Sequence, residues 1–143
     1  MKSARTLITI CLVFTAATLL AQTTVSQRLM TVNVPFAFVV EDHSLPAGEY
    51  FVLTVTPERS IRITSIDGKH SAIVNDLPNY AGSPSPSSRL VFHRYGNEYF
   101  LTQVWTAGQN VARNPLSSKH AMEVAGGGER PQTFTILALA DHR

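Results

Sequence analysis

The side chains best suited to chemistry in this chain are five histidines, which are spread along its 143 residues. Histidines that bind a metal ion from one segment usually lie within about five residues of each other. No two histidines here approach that spacing, so the sequence predicts no metal site and no cofactor, and it favours surface or hydrogen-bonded roles. The five are His43, His70, His93, His120 and His142.

The nearest approach to a hydrolase triad is His70 and Ser71, with Asp76 a few residues further along. A triad requires the nucleophile, the base and the orienting acid within hydrogen-bond reach of one another. Because adjacent residues of a strand point to opposite faces, His70 and Ser71 are expected to point away from each other. No serine lies in a Gly-x-Ser-x-Gly turn. The sequence therefore favours a non-enzymatic protein, with an enzyme of dispersed catalytic residues as an alternative.

Four aromatic side chains are the candidates for binding a ligand or a partner, since tyrosine and tryptophan combine an apolar ring with a polar atom. Tyr80 lies in a stretch rich in proline and serine, whereas Tyr95, Tyr99 and Trp105 lie along a predicted hairpin. The even spacing of Tyr99 and Trp105 places both on one face of a regular strand. Alternatively, these two residues belong to the core of a domain that has no disulfide.

The first 21 residues predict where the protein works. A short basic start with Lys2 and Arg5 precedes an apolar run over residues 7–21 that ends in small residues, which is typical of a secretory signal peptide. The run is shorter than the roughly 20 residues of a membrane-spanning helix. We predict cleavage after Ala21, no membrane span in the mature chain, and a secreted or periplasmic location. An uncleaved anchor is the alternative.

Removal of that segment leaves a chain without net charge or cysteine. The full sequence has 12 Lys and Arg residues against 10 Asp and Glu residues, and Lys2 and Arg5 leave with the segment, so ten of each sign are kept. Cys11 also leaves, so no disulfide is expected. A neutral chain without basic clusters lacks the signature of a nucleic-acid or membrane-surface binder. An unknown ligand or an envelope protein is therefore the expected partner, in no specified oligomeric state.

Alternating hydrophobicity predicts one all-β domain over residues 29–143, preceded by a flexible polar lead over residues 22–28. We expect an antiparallel sandwich or small barrel of about seven strands, with one short helix over residues 115–125 near the C-terminus. Ser117 or Ser118 is the expected helix cap. The expected strands cover residues 30–40, with a break at Pro35, and residues 50–56, 60–66, 69–74, 89–95, 98–106 and 133–140.

The connections between these strands are predicted from their turn residues. Asp67-Gly68 and Gly96-Asn97 are expected to close tight hairpins, because these residue types tolerate positive φ angles. Residues 75–88 have no periodicity and predict a long loop. Glu41 and Asp42 are interpreted as solvated turn residues.

One motif supports the export prediction independently. The pattern VPF-x-F-x-V, followed a few residues later by LPAG-x-Y, resembles that of a group of small, uncharacterised, secreted bacterial β-rich proteins, which carry it near the mature N-terminus. The resemblance implies a fold and an export route, and it assigns no catalytic residue. The motif positions are Val34, Pro35, Phe36, Phe38, Val40, Leu45, Pro46, Ala47, Gly48 and Tyr50.

These observations favour an exported, non-enzymatic β domain that binds a ligand or a protein partner in the periplasm or outside the cell. A second hypothesis is a structural or assembly component that pairs with its partner through an exposed edge strand. In that case residues 133–140 are the strand that pairs either within the chain or with the partner.

Overall fold

The computed structural model describes residues 25–56 and 60–139. The predicted signal peptide and His142 lie outside the described residues. The all-β class is confirmed, although the described chain has ten strands rather than about seven. The elements are β1 (Val25–Val34), β2 (Phe38–Val40), β3 (His43–Leu45), β4 (Gly48–Thr56), β5 (Ser60–Ser65), β6 (Ser71–Tyr80), β7 (Arg89–Tyr95), β8 (Glu98–Trp105), β9 (Val111–Pro115), α1 (Lys119–Gly126) and β10 (Gln132–Leu137).

Eight strands pair antiparallel along one open path. The path runs β1-β4-β5-β6-β9-β8 and continues through β7 to β10. The remaining strands, β2 and β3, form a hairpin that joins β8 through one parallel bridge between Val39 and Phe100. We predicted antiparallel pairing throughout. This bridge is parallel, and the other strand pairings in the described ranges are antiparallel. β10 pairs with β7 inside the chain, so most of the predicted strand 133–140 is engaged in cis.

Sixteen buried side chains, all from β1 to β8, meet in one core. The alternating apolar residues of the first predicted strand are expected to face the core. They are buried with one exception, Phe36, which is partly buried and packs against the core. The buried ones are Met30, Val32, Val34, Phe38 and Val40. The chain bends at Pro35, as predicted, because proline cannot donate to a sheet hydrogen bond. The other buried core residues include Val52, Ile61, Ile63, Val74, Leu90, Phe92, Leu101 and Val104.

The two halves of the sequence motif pack against each other. The ring of Phe38, from the first half, meets the ring of Tyr50, from the second, edge to face at 5.3 Å. The hydroxyl of Tyr50 donates a hydrogen bond to the carbonyl oxygen of Pro46 at 2.6 Å. Tyr50 is only 1% exposed, so this bond satisfies a polar group inside the core. The motif therefore has a structural role.

Both predicted hairpin turns are confirmed. Gly68 and Gly96 adopt positive φ angles of 72° and 56°, which a residue with a Cβ adopts only with strain. The first turn is further fixed by Asp67, whose carboxylate accepts hydrogen bonds from the Ser65 hydroxyl at 2.6 Å and the Lys69 backbone N–H at 3.1 Å. These hydrogen bonds lower the pKa of Asp67 below its ordinary value.

Two segments with loop-like sequences are paired strands. β1 begins at Val25, so the second half of the expected flexible lead pairs with β4. β6 continues to Tyr80, because its second half pairs with β9, whereas residues 75–80 were expected in a loop. Both segments are polar or largely exposed, so they lack the alternation of apolar residues from which strands are predicted.

A bulge in β8 overturns one prediction about faces. Val91 pairs with Gln103 and its neighbour Phe92 pairs with Leu101, which leaves Thr102 as an extra residue. One extra residue exchanges the two faces of a strand beyond that point. Tyr99 and Trp105 consequently lie on opposite faces, and the prediction that they share one was wrong.

The predicted helix is present but starts later than expected. Pro115 belongs to β9, and α1 begins after Ser118, whose hydroxyl caps it by accepting from the Ala121 N–H at 3.0 Å. None of the residues of α1 is buried. In the described part of the chain, no helix combines the length and the hydropathy needed to cross a membrane.

Candidate functional site

A groove of about 410 Å³ lies between α1 and the strands β7 and β8. Its apolar lining includes Phe100 and Leu101, which are buried. Three large apolar side chains along it are exposed by 42–58%, namely Leu77, Leu116 and Met122. An apolar groove of this size, with a few polar groups, is typical of a site for a small molecule.

The β8 bulge brings two of the lining residues onto the same face. Phe100 and Gln103 are three positions apart, a spacing that puts residues of a regular strand on opposite faces. The extra residue, Thr102, lets both lie on the face away from the core, because Leu101 and Val104 occupy the core face. The irregularity of the strand therefore helps to build the groove.

An aromatic cluster forms one part of the lining. His93 pairs with Phe100 across the hairpin, and the ring of Tyr95 lies 6.0 Å from Phe100 and 6.5 Å from His93. Outside the lining, the centroid of the His120 ring on α1 is 5.8 Å from that of Phe100. Such a cluster offers aromatic faces and edges to a bound molecule.

The polar lining includes an acceptor that lacks a partner. The side-chain oxygen of Asn114 is buried and has no hydrogen-bond donor among the described residues. Leaving a buried polar atom without a hydrogen bond costs about 1–3 kcal/mol. Nearby, the Gln103 side-chain oxygen accepts from Trp105 Nε1 at 2.9 Å, so the orientation of the Gln103 amide is fixed. The oxygen itself is closed to solvent, so a ligand in the groove can donate to it only after the Asn114 side chain rotates.

Glu41 lines the groove, and its backbone conformation is strained. It has a φ angle of 51°, and it is the sole non-glycine residue at positive φ in the described ranges. This conformation costs an ordinary L-residue about 1–2 kcal/mol. The side chain is anchored, because the backbone N–H of Asn75 donates to Glu41 Oε1 at 3.1 Å. The sequence offered no sign of this geometry beyond a polar turn.

One ionic contact ties α1 to the sheet. His120 Nε2 lies 3.0 and 3.1 Å from the two carboxylate oxygens of Glu98 on β8. The hydrogen bond that Glu98 accepts from His120, followed by the charge of Glu98, raises the pKa of His120 above its ordinary value. The contact is strongest when the imidazole is protonated and donates to the carboxylate.

The four aromatic candidates do not converge. Tyr95 lines the groove, whereas Tyr99 stacks on Phe36 at a centroid distance of 3.8 Å. Trp105 lies at the opposite end of the hairpin from Tyr95, with the guanidinium of Arg89 5.0 Å from its ring centroid. Tyr80 is 74% exposed at the end of β6. One of the four therefore contributes to the groove.

The triad-like set is also engaged elsewhere. The Ser71 hydroxyl is hydrogen-bonded to that of Thr64 at 2.9 Å, and the Asp76 carboxylate lies 3.5 Å from Arg113 Nη1. Asp76 is almost inaccessible, with 5% of its side chain exposed. Within residues 25–56 and 60–139, no group of three or more His, Cys, Asp or Glu side chains is arranged to hold a metal ion.

A second groove, of about 580 Å³, lies where β1 approaches the end of β10. Leu139 N–H donates to the carbonyl oxygen of Thr31 at 2.8 Å, and Ala138 N–H donates to that of Ser88 at 2.9 Å. Leu137 and Leu139 are partly exposed beside it. This groove lies at the two ends of the open strand path. None of its described lining residues has a buried polar atom without a hydrogen-bond partner.

Comparisons with protein-family models, with curated proteins and with solved structures found no match to this chain.

Proposed function

We propose that this protein is an exported, non-enzymatic binding domain that holds one small ligand in the groove between α1 and β8. The ligand has a largely apolar body and at least one hydrogen-bond donor. The observation that carries this proposal is a groove lined by exposed apolar side chains, with the side-chain oxygen of Asn114, which lacks a donor, buried in its wall. A ligand donor would satisfy that oxygen, and its apolar body would cover Leu77 and Met122.

Export is supported by the N-terminal sequence and by the motif. A basic start, an apolar run and a small residue at position 21 have the layout of a secretory signal peptide. The motif of VPF-x-F-x-V and LPAG-x-Y resembles that of secreted proteins. The periplasm or the extracellular space is therefore the proposed location of the ligand.

Binding is favoured over catalysis by the way the polar lining is used. The Ser118 hydroxyl caps α1, and the Thr102 hydroxyl donates to the Val91 carbonyl oxygen at 3.0 Å. A hydroxyl nucleophile needs a base within hydrogen-bond reach. His93 also lines the groove, but its ring lies against the ring of Tyr95, with the centroids 6.5 Å apart, and not against a hydroxyl nucleophile.

The test uses N-phenyl-1-naphthylamine, a neutral apolar fluorophore with one N–H donor. Its fluorescence rises when it enters an apolar site, so we expect saturable binding of one molecule per mature domain. Leu77→Asn should weaken this binding by about fivefold, because a groove side chain loses its apolar contact with the probe.

The matched control is Ile73→Asn in the same strand. Ile73 is 49% exposed, close to the 58% of Leu77, but it does not line the groove. It pairs with Arg62 on the other half of the sheet. Equal loss of binding in both variants, or no saturable binding by the unaltered domain, would contradict the proposed function.

A further inference from the structure

The described lining of the groove contains one fixed charge, and that charge is negative. Among the described lining residues, Glu41 is the sole carboxylate, and none is lysine or arginine. Three basic side chains outside the lining have partners of their own. Arg113 faces Asp76, and Arg94 Nε donates to the carbonyl oxygen of Gly96 at 2.6 Å. His120 contacts the Glu98 carboxylate. The remaining titratable lining groups are His93 and Tyr95. A negatively charged ligand therefore has no fixed cation to pair with in this groove.

We infer that the groove selects an organic ammonium ion, meaning a positively charged amine on an apolar body, with Glu41 as its counter-ion. This inference rests on the proposed function, because it names the ligand class of the same site. An ammonium group carries up to three N–H donors, and the groove supplies the Glu41 carboxylate, with the unsatisfied oxygen of Asn114 buried in its wall. The aromatic rings of Tyr95 and Phe100 add faces that attract cations.

The backbone of Glu41 supports this assignment independently of charge. Residues in sparsely populated conformations persist where the surrounding structure or a function requires them. The turn between β2 and β3 does not require glutamate, since glycine or asparagine adopts a φ angle of 51° at lower cost. What glutamate adds is a carboxylate at the groove, held in place by the Asn75 N–H on Oε1. A carboxylate accepts about four hydrogen bonds, so the bond from Asn75 leaves capacity for an ammonium.

The apolar component follows from the rest of the lining. The exposed side chains of Leu77, Leu116 and Met122 provide a surface that an alkyl chain or an aromatic ring would cover. Burying apolar surface contributes about 25 cal/mol per Å². A small inorganic cation would leave that surface in water, so the geometry points to an amphiphilic amine.

The experiment compares three ligands that share one alkyl chain and differ in charge. Octylammonium, octanol and nonanoate, which all carry an eight-carbon alkyl chain, are each used to displace N-phenyl-1-naphthylamine from the mature domain at neutral pH. The concentrations stay below micelle formation by the two ions and below the solubility limit of octanol. We expect octylammonium to displace the probe at about fivefold lower concentration than octanol, the ratio for an interaction of about 1 kcal/mol. Nonanoate should be the weakest, and added salt should reduce the preference for the amine.

The test variant is Glu41→Asn, which removes the charge at a backbone conformation that asparagine tolerates. It should equalise octylammonium and octanol while the probe still binds. Glu41→Gly serves in its place if the asparagine variant does not fold, because glycine relieves the strain completely. Asp42→Asn, in the same turn but outside the described groove lining, should keep the amine preference.

The outcomes separate the two proposals. Equal displacement by all three ligands, with loss of probe binding in Leu77→Asn, would leave the binding function standing and overturn the selection of ammonium ions. An amine preference that persists in both Glu41 variants would also overturn it. Absence of saturable probe binding would overturn the proposed function itself.

Discussion

Tyr50 shows how one residue of the motif stabilises the fold. Its hydroxyl donates to Pro46 O inside the core, and burial raises its pKa, with a smaller effect from the charge of Asp67. Tyr50→Phe should lower the free energy of unfolding by about 1–2 kcal/mol, because the Pro46 carbonyl loses its donor. Urea denaturation measures this change.

The matched control for that substitution is Tyr95→Phe. Tyr95 is partly exposed, and its hydroxyl makes no hydrogen bond with another described residue. Its substitution should change the free energy of unfolding by less than about 0.5 kcal/mol. If both variants lose the same stability, the Tyr50 hydrogen bond is not what stabilises the motif.

At the residue scale, the sequence predicts the core better than the site. The alternation of valine and phenylalanine correctly assigns Val32, Val34 and Phe38 to the core, because burial is what selects apolar residues at that period. Asn114 and Glu41 are invisible to the same reasoning. The role of Asn114 depends on a missing hydrogen-bond donor, and that of Glu41 depends on its φ angle. Neither property can be predicted from residue type or spacing.

At the element scale, α1 is the least anchored part of the described fold. It has no buried residue, and three consecutive glycines, Gly126 to Gly128, follow its last turn. Its ionic contact with the sheet is that of His120 with Glu98. The position of the helix over the groove should therefore depend on the protonation of His120.

The sign of this dependence follows from the raised pKa of His120. A histidine whose pKa is higher in the folded state stabilises that state fully below its unfolded value of 6.5, and the stabilisation is lost as the pH rises through the folded value. We therefore measure amide hydrogen exchange in α1 and correct it for its intrinsic pH dependence. The α1 amides should be more protected at about pH 5.5 than at about pH 8.5.

His120→Gln is the control for the pH experiment, because glutamine keeps a hydrogen-bond donor and does not titrate. Its α1 protection should not change between the two conditions. The charged groups that face His120 are Glu98 on β8 and Glu123 on α1 itself. A pH dependence that persists in His120→Gln would assign the effect to another group.

Elements were predictable where local chemistry determines them. Asp67-Gly68 and Gly96-Asn97 fix their hairpins through positive φ angles, and Ser118 fixes the start of α1. The second half of β6 and the bulge at Thr102 were not predictable, because each depends on pairing with a strand distant in sequence. The bulge also determines which side chains reach the groove, so the site could not be assembled from sequence.

At the scale of the whole molecule, the fold separates stability from recognition. The motif and the alternating strands build a continuous core, and the candidate ligand site lies outside it, between α1 and the sheet. The substitutions proposed for the groove affect partly exposed residues, so most should leave the fold intact. Because the core and the site are separate, ligand binding can be tested in variants that still fold.

The most direct test of the account is a two-dimensional ¹H–¹⁵N NMR titration of the mature domain with N-phenyl-1-naphthylamine. We predict that the largest shifts fall on the side-chain amides of Asn114 and Gln103 and on backbone amides of α1 and of Phe100. Shifts concentrated at Leu139 and Thr31, where β1 approaches β10, or no saturable shifts at all, would contradict a ligand site between α1 and β8.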